Sequence, residues 1–116
     1  TYDETFTINV TDVNEAPTVT TTDAESILIS SATIGGNVTN ANGLTVTSRG
    51  FKLGTTSDPT TSITTGSGTG VFTTSLGGLS PATLYYYRSW ATNSAGTTNG
   101  TVKSFTTNPR RAIVVN

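Results

Sequence analysis

Asp12, Asn14 and Glu15 bring three oxygen-bearing side chains into one short polar stretch, D-V-N-E-A-P, closed by Pro17. Such oxygens are the hard ligands Ca²⁺ prefers, and the ion takes about 6 to 8 of them at ~2.3–2.6 Å. Three side chains make part of a calcium site, to be completed by groups from a preceding domain. Tyr86, Arg88 and Trp90 are the second candidate, since their i, i+2, i+4 spacing puts them on one face of a strand. An exposed aromatic row with an Arg suits stacking on carbohydrate or hot-spot contact with a protein. The same row can instead be a lid, with Arg packed between rings to shield the sheet. Catalysis finds less support. The chain has no His and no Cys. Its acids, Asp3, Glu4, Asp12, Glu15, Asp23, Glu25 and Asp58, lie mostly near the N-terminal end, and its many Ser and Thr hydroxyls have no base beside them. The reading is a non-enzyme.

The 116 residues have room for one domain with one core. Thr makes up roughly a quarter of the chain, and a β-branched residue with a hydroxyl suits the outer face of a sheet. Charged residues are 11% with a net charge of −1, so there is no basic stripe to neutralise phosphates and nucleic acid is not an expected partner. No apolar run approaches ~18 residues, so no membrane insertion is expected. The absence of Cys argues against a disulfide-stapled design and leaves packing to hold the domain. The absence of Met at position 1 suggests a piece of a longer protein, with any export signal elsewhere.

The elements that must carry these residues centre on residues 79–96. Gly77, Gly78 and Pro81 mark a corner. A strand follows in which Tyr85, Tyr87, Ser89 and Ala91 share one face while Leu84, Tyr86, Arg88 and Trp90 share the other. Leu79, Pro81, Thr83 and Tyr85 form the L-x-P-x-T-x-Y pattern of a tyrosine corner, in which the phenol packs inward and its hydroxyl bonds to upstream backbone. The strand leaves through A-x-N-x-x-G.

On these motifs residues 17–107 resemble the fibronectin type III superfamily, in the variant common in large secreted bacterial proteins. The resemblance implies an all-β, antiparallel, seven-stranded immunoglobulin-like β-sandwich. Many such domains carry a Trp about where Gly36 stands, and here Phe51 and Leu53 are candidates to fill that volume. Residues 12–17 resemble the junction after a cadherin-like repeat, whose oxygens help hold calcium between domains. Residues 1–16 would then be the last strand and linker of a preceding cadherin-like repeat.

Strands are expected at residues 18–22, at 27–30 continuing into 32–38, and at 45–53, 62–65, 71–76 and 98–107. Residues 5–10 alternate as a further strand, with Phe6, Ile8 and Val10 on one face. Ile34, Val38, Phe72, Thr74, Leu76 and Phe105 are expected to point inward. The Gly35–Gly36 pair suggests a bulge or a close backbone approach. Residues 108–116 break the composition and read as a linker or tail. Sequons at Asn9, Asn37 and Asn99 are what chance gives in so Thr-rich a chain.

The functional expectation is a structural and adhesive spacer of a multidomain bacterial surface or secreted protein, extracellular in location. Its partners are neighbouring domains of the same chain. The alternatives are an accessory carbohydrate- or protein-binding module of a secreted glycoside hydrolase and a calcium-rigidified adhesin repeat.

Overall fold

A computed structural model describes residues 15–109. The strand expected at 5–10, Asp12, Asn14, the Asn9 sequon and the tail from 110 lie outside the described residues. Eight strand segments run in order: β1 (Thr18–Glu25), β2 (Ala32–Asn40), β3 (Ser48–Gly54), β4 (Thr61–Gly66), β5 (Gly70–Leu76), β6 (Leu84–Asn93), β7 (Gly96–Asn99) and β8 (Lys103–Thr106). One sheet has the order β1-β2-β5, and the other has β4-β3-β6-β7 with β8 also on β6. All pairings are antiparallel.

β7 and β8 lie along the same edge of β6, pairing with residues 90–93 and 84–87 respectively. They are therefore two halves of one edge strand, which gives a seven-stranded sandwich of three strands on four. The sequence predicts one continuous strand over 98–107, and the structure breaks it at 100–102. Gly100 shows why. A side chain there would come within 2.6 Å of Thr21 Oγ1 and 2.7 Å of Ser89 Oγ, so β1 crowds against the sandwich edge where the ladder parts.

The core follows from alternation along each strand. Ile34, Phe51, Tyr87 and Ala91 are fully shielded, with Val38, Val46, Phe72 and Phe105 almost so. Each large buried side chain contributes roughly 1.5–3 kcal/mol of transfer free energy. Phe51 and Phe72 meet at 5.0 Å between ring centroids, and Phe105 lies 5.6 Å from Tyr85 and 5.8 Å from Tyr87. Aromatic pairs at these separations add to the burial itself.

Three expectations need correction. Residues 27–30 are not a strand: Ser26 takes a left-handed φ of 52° and Leu28 N donates to Ser31 O at 2.8 Å, closing a tight loop between β1 and β2. Residues 45–47 precede β3 as a loop in which Val46 plugs the core, 1% exposed. The groups nearest Gly36 are Phe72 and Ser89, not Phe51 or Leu53, with Phe51 packed against Phe72. A side chain at Gly36 would stand 2.9 Å from Phe72 Cζ and 2.6 Å from Ser89 Cβ. The glycine pair is thus a close approach and not a bulge against β5, where the register runs unbroken from Ala32↔Leu76 to Val38↔Gly70.

Candidate functional site

Residues of possible functional weight fall in four places: the two poles of the sandwich, the seam along its edge, and the outer face of the larger sheet.

The incoming pole is organised by Asn93, at the end of β6. Its Nδ2 donates to Glu15 O at 2.7 Å and to Ala41 O at 3.0 Å, while its Oδ1 accepts from Ala95 N at 2.8 Å and Gly96 N at 3.2 Å. An amide side chain has two donor hydrogens and two acceptor lone pairs, so every one is used. Asn42, left-handed at φ 55°, adds Nδ2 bonds to Ala16 O and Thr18 Oγ1, and Pro17 is fully buried. The segment leading into β1 is thereby fastened to both neighbouring loops.

The outgoing pole is built around the corner. Tyr85 Oη accepts from Ser80 N at 2.8 Å, and the Tyr85 ring stacks on Phe105. Thr83 Oγ1 donates to Pro81 O, and Thr107 Oγ1 donates to Ser80 O at 2.6 Å while accepting from Thr83 N at 2.9 Å. Leu79 is buried beneath. Leu79 N donates to Ser30 O, Asn108 N to Leu28 O, Asn108 Nδ2 to Ile27 O, and Ala82 N to Asn108 O. The β1–β2 loop, the corner and the departing chain form one bonded cluster. A shallow concavity of about 430 Å³ lies beside it, lined by Leu28, Ile29, Ser30, Ser31, Asn108 and Pro109.

Along the edge, β1 is tied to β6 through side chains. Ser89 Oγ donates to Thr20 O at 2.9 Å, Ser89 N donates to Thr21 Oγ1 at 3.1 Å, and Tyr87 Oη donates to Thr22 O at 2.5 Å. Burial, with the Asp23 charge adding to it, pushes the Tyr87 phenol up from its ordinary value to about 12; a backbone hydrogen bond at Ala24 works the other way. Lys103 Nζ meets Asp23 Oδ1 at 3.1 Å on the surface, where such a pair is worth little.

The outer face of the larger sheet carries Tyr86, Arg88 and Trp90. Tyr86 and Arg88 are half-buried, and Trp90 is buried at 8% exposure with its Nε1 donating to Phe51 O at 3.1 Å. Its antiparallel partner on β3 is Gly50, which has no side chain to hold the indole off the sheet. Arg88 Nε donates to Gly100 O at 3.0 Å. Lys52 stands directly opposite Arg88, a neighbour missed by sequence reasoning because strand register is set by pairing, which no local pattern in 45–53 reveals.

Of the calcium candidates only Glu15 lies among the described residues. Its side chain is exposed, and its backbone makes the contacts. Among the described residues no group of three or more His, Cys, Asp or Glu could hold a metal ion, and no helix is long and apolar enough to cross a membrane. No nucleophile with a base and no poised acid pair occurs there either.

No protein-family model matches the sequence, and no curated protein does. Solved structures do match. The sensor domain of the anti-sigma factor RsgI4 of Pseudobacteroides cellulosolvens is similar at 17% identity and TM-score 0.65, over 81% of this chain and 96% of that one. A solution structure of the same sensor domain matches at 18% identity and TM-score 0.62, over 80% and 76%. The sixth fibronectin type III domain of human fibronectin type III domain containing protein 3 matches at 24% identity and TM-score 0.67, over 86% and 93%. At such identities the likeness speaks for architecture alone, and with the strand order above it makes this chain an antiparallel β-sandwich of fibronectin type III topology.

Proposed function

We propose that this domain is a non-catalytic spacer in a multidomain surface or secreted protein, working through reach and stiffness, with neighbouring domains of its own chain as partners. The observation that carries the reading is the fastening of the chain at both poles. Asn93 and Asn42 hold the segment before β1, while the carbonyls of Ile27 and Leu28 hold Asn108 after β8.

β1 runs from the incoming pole to the outgoing one, and so does the β7–β8 edge, the two lying against each other across the seam. Tension between the poles pulls β1 one way and β8 the other along their lengths. The seam bonds from Thr20, Thr21 and Thr22 to Ser89 and Tyr87 then share the load and do not open one by one. Resistance to forced unfolding is governed by the rate of unfolding under load, and a shared seam lowers that rate.

Single-molecule stretching of a tandem array of the domain tests this. Discrete unfolding steps are expected, at forces clearly above those of an array carrying Ser89→Ala. Gradual extension, or forces equal to those of the Ser89→Ala array, would overturn it.

A further inference from the structure

The outer face of the larger sheet carries a charge arrangement that folding alone disfavours. Lys52 on β3 and Arg88 on β6 are direct antiparallel partners, so two cations lie side by side on one face. Like charges directly opposite each other destabilise a sheet. The other described cations are accounted for: Lys103 meets Asp23, and Arg49 Nη1 donates to the carbonyls of Gly68 and Thr69 with its guanidinium 4.8 Å over the Phe72 ring. Among the described residues neither Lys52 nor Arg88 has a carboxylate within ion-pair distance.

The neighbours suit a particular ligand chemistry. Arg88 is anchored through Nε to Gly100 O, which orients its guanidinium and leaves the terminal nitrogens without a partner among the described residues. Tyr86 lies two residues before Arg88 on the same face and is half-buried; its partner across the strand is Gly54, over which Pro59 packs. Ser62 flanks Lys52 from β4, and Ser104 flanks Tyr86 from β8. The face therefore offers one aromatic ring, two cations in register and two hydroxyls. It lies across the middle of the sheet, on β3 and β6, away from any free edge that a peptide could extend.

We propose that Lys52, Arg88 and Tyr86 form a binding face for an acidic polysaccharide, in which the cation pair holds a uronate carboxylate and the Tyr86 ring packs on the sugar. The guanidinium fork can take the carboxylate bidentately, with the ammonium as a second point charge. The buried Trp90 is no contact in this scheme; it forms the floor of the same face.

The test is an amide-resolved NMR titration of the folded domain with tetragalacturonate, alongside cellotetraose and hexaglutamate. Tetragalacturonate is expected to shift the amides around Lys52, Tyr86 and Arg88 saturably, with a response that fades as salt is raised. Cellotetraose and hexaglutamate should bind at least ~10-fold more weakly, a difference of about 1.4 kcal/mol. Lys52→Glu should abolish the response and melt no lower than the parent, because it places a carboxylate opposite Arg88. Three results would each overturn the proposal: no response to tetragalacturonate, an equal response to hexaglutamate, or a lower melting temperature for Lys52→Glu, which would mean Lys52 already has a partner.

Discussion

Thr21 Oγ1 lies 3.1 Å from both the main-chain nitrogen and the hydroxyl of Ser89. A side chain of one sheet thus takes the place in the other sheet's ladder that the broken last strand leaves vacant. A buried group stripped of its partner costs about 1–3 kcal/mol, so Thr21→Val, which orphans Ser89 N, and Ser89→Ala, which orphans Thr20 O, should each lower stability by about that much. Because the residues share bonds, the double variant should lose less than the sum. Urea titration of the four proteins checks it; strict additivity would show that the two do not act together.

Gly36→Ala should be costly and Gly77→Ala should not. The new methyl at 36 would press on Ser89 Cβ and Phe72 Cζ, whereas at 77 it meets nothing within 4 Å. Overpacking of this kind costs about 1–3 kcal/mol. Trimming the ring with Phe72→Leu should recover part of the loss, as read by thermal melting; no recovery would show that backbone at 36, and not the ring, is the limit.

Asn93→Asp exchanges two donated hydrogen bonds for a carboxylate facing the carbonyls of Glu15 and Ala41. The position is 3% exposed, so a loss of about 2–4 kcal/mol at neutral pH is expected. Ala95 and Gly96 keep their Oδ1 acceptor, so hydrogen exchange should quicken instead at Glu15 and Leu44, on the two segments that lose a donor. If those amides are unchanged, the incoming segment is held by Asn42 and Pro17 instead.

The raised phenol of Tyr87 fixes a direction for alkaline stability. The folded protein keeps this proton up to about pH 12, while the unfolded chain releases it near 10. The contribution is therefore complete below pH 10 and is lost as pH climbs from 10 to 12, by about 2–3 kcal/mol at 1.36 per pH unit. Unfolding free energies from urea titrations at about pH 9.5 and 11.5 should differ by about 1.5–2 kcal/mol, most of that loss, and Tyr87→Phe should show a smaller decline. An equal decline in both proteins would assign the alkaline transition to other groups.

Much of the fold could be read from local pattern. The corner at 79–85 is a short-range device, and strict alternation placed Tyr87, Ser89, Ala91, Phe72 and Phe105 on the inner faces before any contact was known. What stayed hidden depends on distant partners. Alternation assigns Trp90 to the outer face correctly, yet its burial requires Gly50 opposite it, a matter of register. The break at 100–102 has one local signal, the Asn99-Gly100 pair, but V-K-S-F-T after it continues a strand pattern, and the crowding of Gly100 by Thr21 and Ser89 is a tertiary matter. Thr21 itself is one threonine among many, and nothing in its surroundings marks it as the one whose hydroxyl serves as backbone.

The vacancy in the last strand also ties together positions far apart in the chain. A threonine at 21 and a glycine at 100 answer the same geometric demand: the first supplies the missing acceptor and the second makes room for it. In a descendant with alanine at 21, Ser89 N would need another acceptor, yet Ser89 Oγ and the main-chain nitrogen of residue 21 would still leave no room for a side chain at 100. The glycine should therefore outlast the threonine when sequences of this fold drift apart, because more than one neighbour presses on it.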